Sequence, residues 1–213
     1  SFLLIGCAKE IEQPQSQEGL HEVVFHAGWA PETKTVLQED GSVWWSPGDE
    51  ISVFAVEKIN EGHYSIYGEQ GGWKLTAIND EPSSETTFKG CIDNADNATY
   101  YAVYPYNSNN ECGGKTISIT IPTIQTAPPG TYDHSAFVSY ARTTDDNLYF
   151  KNLCGGIKFS VSQYGIKEVT FRYTSGDIMS GDIIVDVQKD SPEFYSWRTK
   201  SDEVIVRAPN NTC

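Results

Sequence analysis

Four histidines, His21, His26, His63 and His134, are the side chains best suited to acid–base work or metal ligation near neutral pH. None stands in an HxxxH or HExxH arrangement, so no two of them would meet on one helix face around a zinc ion. Each reads instead as a solvated or partly buried residue alone in a strand or turn. The linear sequence also holds no GxSxG elbow, no P-loop and no GxGxxG. Triads and carboxylate pairs assembled in space need no such motif and stay open at this level. Asp93-Asn-Ala-Asp-Asn97 is rich in oxygen ligands but lacks the glycine and distal glutamate of an EF-hand, and reads as an Asx-rich turn. No metal or cofactor is expected, and the chain does not read as an enzyme.

Five cysteines, Cys7, Cys91, Cys112, Cys154 and Cys213, show neither CxxC nor Cys/His zinc spacing. Cys91 and Cys112 bracket a plausible hairpin, yet spacing alone says nothing of disulfide geometry, and buried free thiols are the expected state. The aromatic residues are the remaining chemistry. Trp44, Trp45 and Trp73, with Tyr64 and Tyr67 or with Tyr100, Tyr101, Tyr104 and Tyr106, would form a stacking platform for sugar rings if they faced solvent together. In an all-β chain alternate aromatics are more often core or cross-strand pairs. Trp44 and Trp45 are adjacent, so in a strand they point to opposite faces and one of the two reaches the surface.

The elements that must position these groups are strands. Ser46-Pro-Gly-Asp49 is a turn by mechanism: proline presets φ, glycine tolerates φ > 0, and the flanking Ser and Asp bond the backbone. In residues 50–56, Ile51, Val53 and Ala55 alternate with Ser52, Phe54 and Val56, which makes a strand apolar on both sides, as in a sandwich core. Further short β-rich runs are expected at 20–27, 43–45, 64–67, 73–77, 86–89, 99–104, 116–121 and 136–141. Others follow at 149–151, 156–162, 166–173, 182–187 and 203–207. Ile51, Val53, Phe54, Val103, Ile117, Ile119 and Ile121 are the expected core of the first sandwich.

With 15 basic against 29 acidic residues among 213, the net charge is −14, which repels phosphate backbones and argues against a nucleic-acid partner. Hydrophobic residues make up 38%, enough to bury a core. At the start, Leu4-Ile-Gly-Cys7 matches the bacterial lipobox, so residues 1–6 read as a signal-peptide remnant and Cys7 as the lipidated residue. Residues 7–19 are polar and without periodicity, as in a flexible tether. The polar run 141–147 is the expected domain boundary, giving an N-terminal β-sandwich over 20–144. The start of a second, truncated sandwich then occupies 145–213.

The run Trp45-Ser-Pro-Gly-Asp-Glu-Ile-Ser-Val-Phe54 behind Thr33-Lys-Thr35 is similar to a motif of the fimbrillin-like surface lipoproteins of Bacteroides-type bacteria. So are Tyr101-Ala-Val-Tyr-Pro-Tyr106, the run from Ile117 to Thr126 and the run from Leu148 to Val161, in that order along the chain. The resemblance implies tandem transthyretin-like β-sandwiches, the first complete and the second begun. It also implies a lipid-anchored protein of the outer membrane and cell surface, acting as pilus subunit, anchor or tip adhesin. Its partners would be other fimbrial subunits joined by strand exchange, and a host or bacterial surface glycan or protein. In polymerising relatives a trypsin-like protease cuts away the first strand, here 20–27, and a segment of the next subunit replaces it. Where many relatives carry arginine this chain has Lys34, and no arginine precedes Arg142, so either a protease that accepts lysine does the processing or the protein keeps its first strand as an anchor or non-polymerising surface protein. A surface glycan-binding lipoprotein that captures polysaccharide through Trp44, Trp45 and Trp73 is the alternative.

Overall fold

The Ser46–Asp49 turn closes as its residues dictate: the Asp49 N–H donates to the Ser46 carbonyl at 3.1 Å, and the Ser46 N–H donates to Asp49 Oδ2 at 2.8 Å. Gly48 takes φ 80° there, a conformation that a side chain would strain. The strand it launches is buried from Ile51 through Val56 without a break. A strand apolar on both faces needs a layer on each side, and that requirement organises the whole molecule.

The computed structural model describes residues 20–30, 44–93, 98–128, 130–175, 178–188 and 192–209. In chain order the strands are β1 (Leu20–Trp29), β2 (Glu50–Asn60), β3 (His63–Tyr67), β4 (Trp73–Ala77) and β5 (Thr86–Asp93). Next come β6 (Thr99–Tyr104), β7 (Glu111–Cys112), β8 (Thr116–Ile121), β9 (Ile124–Thr126) and β10 (Ser139–Thr143). The last are β11 (Asn147–Asn152), β12 (Glu168–Arg172), β13 (Gly181–Asp186), β14 (Glu193–Trp197) and β15 (Glu203–Arg207). The fold is essentially all-β.

An eight-stranded sheet in the order β3-β2-β4-β5-β1-β11-β10-β6 closes on itself, because β6 pairs back onto β2 from Ser52↔Val103 to Val56↔Thr99. Closure pairs both sides of the seven ring strands, which an open sheet would leave with edges to template aggregation, while β3 hangs on β2 outside the ring. Inside the ring lie Phe25, Ile51, Leu75, Phe88, Leu148 and Phe150, with Trp45 among them. Burying each such aliphatic or Phe side chain contributes about 1.5–3 kcal/mol. The outer face of β2, β6 and β10 presents Val56, Tyr101, Val103 and Tyr140, which pack on Ile117 and Ile119 of β8 and Ile183 and Val185 of β13. β8 and β13 belong to a second sheet ordered β14-β13-β8-β7, and a third sheet is ordered β12-β15-β9.

Six of the seven expected core residues are at most 2% exposed; Ile121 is only half-buried, at the margin of the outer cluster. Residues 156–162, expected as a strand, lie outside every described strand. Their alternating Ile157, Phe159 and Val161 are 67%, 39% and 47% exposed, with no layer packed over all three. At 136–141 the strand begins only at Ser139, because Asp133 caps a short 3-10 turn at His134–Ala136, its Oδ1 accepting the Ser135 N–H at 2.9 Å. Three strands go unforeseen: β7 and β9, of two and three residues, and β14, whose outward aromatics break the alternation. The polar run 141–147 is the end of β10, a turn and the start of β11, both in the closed sheet.

Candidate functional site

Two places combine chemistry with access. The first is a cleft at one end of β6. The Ser46–Asp49 turn delivers Asp49, β6 ends at Tyr104 before a cis Tyr104–Pro105 bond, and the 3-10 turn presents His134. The Tyr104 hydroxyl lies 3.3 Å from Asp49 Oδ1, to which it donates, and 3.4 Å from His134 Nδ1. Tyr132 stacks on His134 with ring centroids 4.9 Å apart. The cleft holds about 270 Å³ between Asp49, Glu50, Tyr104, Tyr106, Asn107 and His134, with Val103, Ile119 and Val138 as apolar lining.

Its electrostatics follow from burial. Desolvation raises the Asp49 carboxyl above its ordinary value, against the lowering effects of the Ser46 N–H, the His134 charge and the Tyr104 hydroxyl. Burial first, and the Asp49 charge second, push the Tyr104 hydroxyl upward; the same two causes push Tyr132 up to about 12. Tyr104 therefore keeps its proton, and its contact with His134 offers hydrogen bonding rather than an activated nucleophile. Much of the remaining polar lining is already engaged: Asn110 donates to Ser52 and to the Pro105 carbonyl, Ser135 to Asp133, and Thr120 to Asp182. At the rim the Lys74 ammonium lies 3.0 Å from Glu50 Oε2 and 4.3 Å from the centre of the Tyr106 ring.

The second place is the slot that β1 fills. β1 pairs antiparallel with β5 from Leu20↔Asp93 to Ala27↔Thr86, and parallel with β11 from His26↔Asn147 to Trp29↔Phe150. Phe25 and Ala27 point into the closed sheet at 3% and 4% exposure, while Val24 is 41% exposed. Among the described strands β1 alone joins β5 to β11 and closes the ring at this point.

Of the residues expected from sequence to carry function, Cys7 and Lys34 lie outside the described residues. Trp44 is 47% exposed and Trp45 1%, so one of the adjacent pair does reach the surface. Trp73 is half-buried against Ala55 and Ala98. With Trp45 inside the ring, the three tryptophans do not make one exposed row. Cys91, Cys112 and Cys154 are free thiols, but Cys91 is exposed rather than buried, because its side chain points to the outer face of β5; burial pushes Cys112 up to about 11 and raises Cys154 as well. Asp93 ends β5, and the other residues of the Asx-rich run, like Cys213, lie outside the described residues. Among the described residues no group of three His, Cys, Asp or Glu is placed to hold a metal ion.

The Asp49–Tyr104–His134 grouping was not visible in the sequence, where 55 and 30 positions separate the partners. The one available signal was the pair of turn motifs, Ser46-Pro-Gly-Asp49 and Tyr104-Pro-Tyr106, each closing one end of an apolar strand. Compared with protein-family models, with curated proteins and with solved structures, the chain matches none.

Proposed function

We propose that this chain is a cell-surface lipoprotein of the fimbrillin type, a pilus subunit, anchor or tip adhesin that engages its partners by strand addition. The observation that carries the proposal is the placement of β1, which alone among the described strands bridges β5 and β11 and which seats Phe25 and Ala27 inside the ring. A strand so held can be exchanged for another of the same pattern. Its departure would uncover the ladder groups of β5 and β11 and two pockets at alternate positions, the combination that a donor strand recognises. Lys34 follows Trp29 by five positions (34 − 29), so a cut there leaves β1 attached by non-covalent contacts alone on its C-terminal side.

The same reading takes the layers as transthyretin-like sandwiches in tandem, with β11, which lies past the expected boundary at residue 144, still a strand of the first closed sheet. What favours it is the apolar alternation of Ile157, Phe159 and Val161, strand-like in pattern yet outside the described ladders. Lipid at Cys7 would hold the protein at the outer membrane. The glycan-capturing alternative draws no support from Trp44, Trp45 and Trp73, since Trp45 is enclosed.

Exchange of the strand is the direct test. Protein cut after Lys34 should take up a labelled peptide of the Leu20–Trp29 sequence in place of its own β1, and uncut protein should not. Failure of the cut protein to exchange, under conditions where it stays folded, overturns the proposal. The anchor is tested separately: Cys7→Ser should move the protein from the membrane to the soluble fraction, and unchanged membrane association would refute lipidation.

A further inference from the structure

The cleft beside the Ser46–Asp49 turn has no part in strand addition, and its lining has its own chemistry. Asp49 and Glu50 bring carboxylates to one side, and Tyr104 and Tyr106 bring aromatic rings. The one cation at the rim, Lys74, shows what this combination holds: its ammonium sits at once beside the Glu50 carboxylate and over the Tyr106 ring. Asp49 pairs with no lysine or arginine among the described residues, and the charge of His134 only partly offsets its burial. Asp49 receives the Ser46 N–H and the Tyr104 hydroxyl, and a histidine stands behind that hydroxyl.

We propose that this cleft binds a primary ammonium group, carried by an amino sugar or by a lysine side chain, with Asp49 as counter-ion, the Tyr104 hydroxyl beside it and the Tyr106 ring as a wall. A partly desolvated carboxylate without a full cationic partner gains most from a ligand that brings the charge. Burial is the main cause of the raised Asp49 carboxyl, and Ser46, His134 and Tyr104 offset it only in part. At about 270 Å³ the space lies at the lower end of small-molecule sites, which start near ~300 Å³. It fits one sugar ring or one alkylammonium chain rather than an oligosaccharide. The net charge of −14 draws cations toward the whole surface.

The test is a magnetic-resonance titration of the intact protein with glucosamine, with Nα-acetyl-lysine amide, and with glucose and N-acetylglucosamine as neutral counterparts. The two amines should shift the Asp49, Tyr104 and His134 signals saturably, and the neutral sugars should not. Asp49→Asn keeps an oxygen for the Ser46 N–H while removing the charge, and should weaken amine binding on the order of tenfold or more, the worth of one charged hydrogen bond. Whichever amine binds more tightly assigns the source as saccharide or protein side chain. Glucose binding as well as glucosamine, no shift with either amine, or unchanged binding in Asp49→Asn overturns the proposal. The first two outcomes are read on the unaltered protein and do not depend on a variant folding. Peptide exchange at β1 is independent of every outcome here, so the two proposals fail separately.

Discussion

Trp29 and Trp45 stack face to face, with ring centroids 4.7 Å apart and planes 10° apart. One belongs to β1 and the other precedes the Ser46–Asp49 turn, so the stack ties the first strand to the element that launches β2. Trp45 also meets Phe88, Tyr104 and Phe150 edge-on at about 5 Å and is 1% exposed. Release of β1 would strip one face of that ring. The emission assigned to Trp45, taken as the difference between the parent and Trp45→Phe, should move to longer wavelength when β1 leaves after cleavage at Lys34. Trp45→Ala should cost about 3–5 kcal/mol in denaturant unfolding, and Trp29→Ala less, because Trp29 is half-buried. Unchanged Trp45 emission after β1 has been removed would contradict the role given to this stack.

β1 makes its own register prediction. Phe25 is enclosed beside Phe88, its antiparallel partner, while Val24 on the opposite face is 41% exposed. Phe25→Ala should therefore destabilise by about 3–5 kcal/mol, and Val24→Ala by no more than about 0.5 kcal/mol. Equal losses in chemical unfolding would mean that the alternation along β1 is out of step by one residue.

How much of this was legible follows from what alternation encodes. In residues 51–56 every position is apolar or small, and a run that short, rich in β-branched and aromatic residues and launched by a Pro-Gly turn, is the pattern of a strand covered on both faces, so β2 and its burial could be read directly. Alternation says which face is buried but not which strand lies alongside. The closure of the ring rests on His26↔Asn147, a parallel pairing across 121 positions (147 − 26), and nothing local to either residue announces it. Ile157, Phe159 and Val161 mark the converse case, a pattern fit for a strand that no described neighbour pairs. β14 escaped for the opposite reason: Phe194 and Tyr195 are both exposed, which leaves no periodicity to detect. His134 read as solitary because its partners, Tyr104 and Tyr132, are brought to it by tertiary packing and a turn rather than by a motif.

Asp49 couples the cleft to stability through pH. Its folded carboxyl is raised above its ordinary value, chiefly by burial, while His134, Tyr104, Tyr132 and Glu50 are the titratable groups around it. The native state then binds more protons than the unfolded chain between the two values. The favourable contribution of protonated Asp49 is complete below the unfolded value, declines as pH rises through the folded value, and is absent above it. Asp49→Asn, which retains an acceptor for the Ser46 N–H, should gain in melting temperature relative to the parent as pH rises from about 3 toward neutrality and then hold that gain. A difference that stays flat across this range, or that reverses in sign, would rule out burial as the dominant influence on this carboxyl.

On the proposed strand-addition reading, a cut at Lys34 is what would open the slot at β1 for assembly. β1 contributes Phe25 and Ala27 to the ring and completes the ladders of β5 and β11, so intact protein has no vacancy for a donor. Lys34 itself lies outside the described residues, but its position in sequence after β1 and before β2 makes it a place where one cut separates the two strands. Cleavage by a trypsin-like protease should release residues 7–34, open the ring between β5 and β11, and let the full-length chain form ladders that withstand mild detergent on electrophoresis. Lys34→Ala should remain monomeric under the same protease. If cleaved protein stays monomeric, or if Lys34→Ala assembles as readily as the parent, activation at this site is wrong, and β1 is a permanent strand of a stand-alone anchor.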